Sequence, residues 1–82
     1  MFLAAQMSLY PLRQTHLSPA ISSAASILRG HGLEVSSGPM SSLVSGDDDA
    51  LFAAIKDIFR QSSDQGDIVM VVTISNACPV SK

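Results

Sequence analysis

"LEVSSGPMSSLVSG", Leu33 to Gly46, lies between two segments of helical pattern, and the number of strands it holds decides the architecture. Gly38-Pro39 stands near its middle. A glycine–proline pair between two short runs carrying valine and leucine reads as a turn joining two strands. The stretch is therefore expected to be a hairpin. Which residues of its second strand share a face with Ser36 stays open: either Ser42, or its neighbours Ser41 and Ser45.

Working outward, "DDDALFAAIKDIFRQSSDQG" (Asp47–Gly66) carries the clearest helical signal. Asp47 or Asp48 caps it, Leu51, Phe52, Ile55, Ile58 and Phe59 form its apolar stripe, and Gly66 closes it. "DIVMVVTIS" (Asp67–Ser75) follows as a strand rich in β-branched residues. On the other side, "LSPAISSAASILRGHG" places Ser18 as N-cap and Pro19 at the first helical position. Ile21, Ala24, Ala25 and Leu28 recur at helical spacing, and Gly30 or Gly32 ends the helix. "FLAAQMSLY" (Phe2–Tyr10) alternates, with Leu3, Ala5, Met7 and Leu9 on one face, until Pro11 stops it. The order is β-α-β-β-α-β. This predicts an α+β, ferredoxin-like sandwich: a four-stranded antiparallel sheet with two helices on one face, forming a single domain over residues 1–82.

A chain of 82 residues is short for a self-sufficient core, burying about 60–65% of its unfolded surface. One cysteine makes no internal disulfide, and no His/Cys cluster suggests a structural metal. With 46% hydrophobic and only 15% charged residues, a homo-oligomer, dimer or tetramer, is expected. The net charge of −2 and five scattered basic residues argue against nucleic acid. The apolar N-terminal run lacks a basic leader and a cleavage site and is broken by Gln6, Ser8 and Pro11. No membrane span and a cytoplasmic location are expected.

The helices leave one sheet face uncovered. Gln6, Ser8 and Tyr10 from the first strand and Val69, Val71, Thr73 and Ser75 from the last should lie there. Hydroxyls, an amide, one ring and two valines form an almost uncharged surface. Such groups suit a small-molecule site, because they offer hydrogen bonds without the desolvation cost of an ion. The same composition also suits packing against another subunit.

Other candidates for chemistry carry less. Asp47-Asp48-Asp49 is what a helix N-terminus favours, and neither an EF-hand nor a phosphate loop surrounds it, so no metal is expected. His16 and His31 fall in or beside loops, far apart, and are expected to be exposed. Cys78 precedes Pro79 with no base in view, and reads as a small buried residue supporting the terminal turn. No reaction is visible.

Three blocks, "SLYP" (Ser8–Pro11), "SGPMSSLVSGDDDALFAAI" (Ser37–Ile55) and "VTISNACP" (Val72–Pro79), together resemble the YkoF-type family of thiamine and hydroxymethylpyrimidine-binding domains. The resemblance implies a ferredoxin-like (ACT-like) fold and a cytoplasmic protein. It also implies non-enzymatic binding of thiamine or its pyrimidine part as a carrier, a buffer or a component of uptake or salvage, without a cofactor. Some relatives carry two such domains in one chain, so a second copy here would come from another subunit. The implied ligand contacts are Ser8, Tyr10, Ser42, Ser45, Asp47, Thr73 and Ser75. Hydroxyls of Ser8, Ser42 and Thr73 would meet the polar edge of an aminopyrimidine, and Tyr10 its flat face. Asp47 or Tyr10 would meet a thiazolium cation. Where relatives can be basic, Ser45 cannot neutralise a phosphate, which counts against the phosphorylated vitamin. Two rival readings remain: an ACT-like regulatory or assembly module that uses the sheet face for protein contact, and a cysteine enzyme built on Cys78.

Overall fold

Four strands and two helices follow one another as β1 (Phe2–Pro11), α1 (Ser18–Gly30), β2 (Glu34–Ser37), β3 (Ser42–Asp47), α2 (Asp48–Ser63) and β4 (Ile68–Ser75). They come from a computed structural model that describes residues 1–12, 18–38, 41–64 and 66–77. Pro39 of the hairpin corner, His16 and Cys78 lie outside the described residues. The sheet order is β2-β3-β1-β4 with every neighbouring pair antiparallel. Both helices pack on one face, as the order of elements predicts for a ferredoxin-like sandwich.

Strand parity builds the core. Leu3, Ala5 and Met7 alternate onto the helix side and are buried, and Val44 of β3 joins them opposite Ala5. Ala24 and Leu28 of α1 and Leu51, Ala54 and Ile58 of α2 close over them. The strand β1 runs one residue past its expected end, through Pro11, which pairs with Ile68. The pairing with β3 ends at Met7↔Ser42, so at Pro11 the missing N–H forfeits no bond to β3.

The end of α1 is a Schellman turn. Leu33 N–H donates to the Leu28 carbonyl at 3.2 Å and Gly32 N–H to the Arg29 carbonyl at 3.0 Å, with Gly32 at φ 78°. Gly32 rather than Gly30 therefore supplies the left-handed residue. The turn swings Leu33 inward, where it is buried in the same cluster as Leu28.

At the start of α2, Asp47 is the N-cap: its Oδ2 accepts from Asp49 N–H at 3.3 Å. The inner face of this helix differs from the expected stripe. Leu51, Ala54, Ile58 and Ser62 are buried, whereas Phe52 and Phe59 are 53% and 46% exposed. Ala54, fully buried, occupies the contact line, where a small side chain lets the helix approach the sheet. The apolar arc of α2 is wider than that contact, so the bulkier rings fall on its flank.

His31 is likewise not the exposed residue expected. It is half-buried, with Nε2 2.9 Å from Asp57 Oδ2 of α2, tying the end of one helix to the other. Both groups remain partly wetted, so the pair is worth little. Asp57→Asn is expected to lower the unfolding free energy by about 1 kcal/mol or less, read from urea denaturation at pH 7.

Candidate functional site

The register places two rows of side chains across the helix-free face. Ser36, Leu43, Gln6 and Thr73 form one row, and Glu34, Ser45, Ala4 and Ser75 the next. Each row crosses three strand spacings, about 14 Å. Together they line a concavity of about 770 Å³ that reaches round the β2 edge to Arg29 and Leu33. Such a volume falls in the range of about 300–1,000 Å³ common to small-molecule sites.

The floor is aliphatic, from Ala4 and Leu43, and the surround is polar but mostly neutral. Among the described residues no hydrogen bond engages the hydroxyls of Ser36, Ser45 or Thr73. Gln6 donates from Nε2 to Ser41 Oγ at 3.2 Å, which leaves its carbonyl oxygen as a further acceptor. Ser75 Oγ accepts from Ala77 N–H at 3.0 Å and so also finishes the strand.

The residues expected from the sequence divide into four groups. Ser45, Thr73 and Ser75 line the concavity. Ser8 and Tyr10 lie on the same face but further along β1, opposite Val71 and Val69, outside the concavity. Ser42 is the correction: it pairs with Met7, a core residue, so alternation turns it to the helix side, and Ser45 takes the open-face position. Asp47 pairs with Phe2 at the end of β3, but its carboxylate is committed to capping α2 and does not line the concavity.

The acidic run works as a helix start. Met1 ammonium lies 3.4 Å from Asp47 Oδ1 and 3.2 Å from Asp48 Oδ1. The hydrogen bond from that ammonium holds the Asp48 carboxyl below its ordinary range. One ligand atom from each of the three carboxylates lies within 4.8 Å of the others at the start of α2, where the helix dipole favours acidic groups.

Sequence reasoning missed Leu43, Glu34 and Arg29 as parts of the site. Leu43 and Glu34 were in reach of strand alternation once the parity of β3 is known. Arg29 was not, since it arrives from the far end of a helix through a turn.

A profile of the YKOF-related family matches residues 3–81. The chain belongs to the YKOF-related family. No curated protein matches it in sequence. Among solved structures, a hypothetical protein of Methanocaldococcus jannascii superposes with a TM-score of 0.85 at 20% identity, covering 95% of this chain and 82% of that one. A Streptococcus pneumoniae protein gives 0.85 at 17% identity, covering 99% and 92%. A Thermotoga maritima protein, provisionally described as a thiamine biosynthesis/salvage protein, gives 0.79 at 17% identity, covering 92% and 83%. At these identities the likeness establishes the fold that this YKOF-related chain shares with them.

Proposed function

We propose that the concavity on the helix-free face binds thiamine or a related hydroxymethylpyrimidine without changing it chemically, as a carrier, a buffer or part of uptake or salvage. The observation that carries this reading is the pair of rows: an aliphatic floor bordered by Gln6, Ser36, Ser45 and Thr73, all neutral hydrogen-bonding groups. A flat aminopyrimidine presents ring acceptors and an amine donor along its edge, which hydroxyls and an amide can meet while the ring lies on Leu43. A trough of about 14 Å is long enough for a second ring. Family membership and the printed description of the Thermotoga maritima protein point in the same direction.

Calorimetric titration of the purified chain with thiamine and with hydroxymethylpyrimidine tests the reading, and absence of heat at millimolar ligand ends it. Thr73→Val keeps the shape and removes the hydroxyl, so affinity is expected to fall roughly three- to tenfold, the worth of one hydrogen bond.

A second reading is favoured by a specific feature, the other end of the same face. There Tyr10, Val69 and Val71 are about half exposed and adjacent across β1 and β4. A protein-contact role for the whole face, as in an ACT-like regulatory module, would use this patch. Under that reading Thr73→Val strengthens association instead of weakening ligand binding. Self-association into a dimer or tetramer accompanies either proposal, supported by this patch and by β4, an edge strand of eight residues without a charge. A cytoplasmic location is part of the same proposal. No helix among the described residues is long and apolar enough to cross a membrane.

A further inference from the structure

Arg29 is the feature of the concavity that the neutral-ligand reading leaves unused. It sits in the last turn of α1, where its carbonyl is held by the Schellman turn, and it lines the concavity from beyond the β2 edge. A basic residue there suits the negative end of the helix dipole, but that alone does not place it against the open face. Among the described residues, the Arg29 guanidinium has no ion-pair partner. Glu34, in the second row opposite Ser45, also lacks one, so the two opposite charges border the concavity without neutralising each other.

Resting on the reading above, we infer that the site takes its heterocycle as a phosphate monoester, with the anionic tail on Arg29. Guanidinium presents paired N–H donors in a fork that matches two phosphate oxygens, and it stays charged at any working pH. Ser45 cannot balance a phosphate, but Arg29, contributed by a distant element, can. Glu34 offers the complementary charge for a cationic ring. A ligand carrying both a positive ring and a negative tail therefore finds a partner for each along one wall.

The probes are thiamine and thiamine monophosphate, titrated calorimetrically into the full chain and into Arg29→Gln. Arg29 is exposed, so the variant is expected to fold as the parent does. In low salt the monophosphate is expected to bind the parent roughly three- to tenfold tighter than thiamine, with the difference shrinking as salt is added. Arg29→Gln should abolish that preference by weakening the monophosphate, whereas thiamine, a cation, should bind the variant no more weakly than the parent. Equal affinity of the parent for the two probes, or a preference that survives in Arg29→Gln, overturns this inference and leaves the binding site standing. Failure of both probes to bind overturns the binding reading and this inference together.

Discussion

Ile58→Ala is expected to cost about 2–5 kcal/mol of unfolding free energy, as a drop in the urea midpoint with little change in slope. Ile58 lies at the centre of the inner face of α2 and is fully buried among Leu51, Ala54 and the helix-side residues of the sheet. Truncation removes packed methyl groups and leaves a void that the surrounding strands cannot fill. For a small domain with a total stability of only about 5–15 kcal/mol, this is a large fraction. Its sequence neighbour provides the contrast. Phe59 is the larger side chain but is 46% exposed, so Phe59→Ala should lose only about half of the full transfer term, ~1 kcal/mol. A greater loss at Phe59 than at Ile58 would reverse the assignment of the inner face.

Gly46→Val should be the other severe substitution. Gly46 stands opposite Leu3 on the helix side of β3, and a Cβ built there runs into Cδ2 of Leu33. Leu33 cannot simply swing away. It is buried, and the Schellman turn that ends α1 fixes its backbone. Overpacking of this kind costs about 1–3 kcal/mol, and valine adds three carbons at the obstructed position. For a domain of this size each kcal/mol lowers the thermal midpoint by about 4–8 °C. The cause can be isolated with Gly46→Ala in the background of Leu33→Ala. Leu33→Ala is itself destabilising, but it removes the obstructing atom. The added cost of Gly46→Ala should then fall to the part set by the backbone at Gly46 (φ 158°), a coupling that an independent backbone effect alone would not show.

Much of the site was legible because strand alternation is a local property. Gln6, Thr73 and Ser75 follow from counting by two along β1 and β4, and the pairs Gln6↔Thr73 and Ala4↔Ser75 place them side by side. The same counting was ambiguous for β3, where serines at 41, 42 and 45 occupy both parities. Only its register against β1, Ala5 on Val44 and Ala4 on Ser45, turns Ser42 inward and Ser45 outward. Tyr10 shares the face yet misses the concavity, because β3 stops opposite Met7 and the two rows that form the hollow lie at the other end of β1. Periodicity names a face; it does not say where along that face a depression forms.

By itself the sequence determined the order of the elements, the pairs of residues between which the caps fall (Asp47 or Asp48, Gly30 or Gly32), and which side of β1 and β4 meets the helices. Each depends on neighbours a few residues away, through hydrogen bonds and side-chain period. Tertiary structure alone decided that Ala54 rather than the phenylalanines meets the sheet, that Leu33 lies against Gly46, and that Arg29 reaches the open face. Those outcomes depend on how closely separate elements approach, which is set by the volumes packed between them and is not encoded in any single segment.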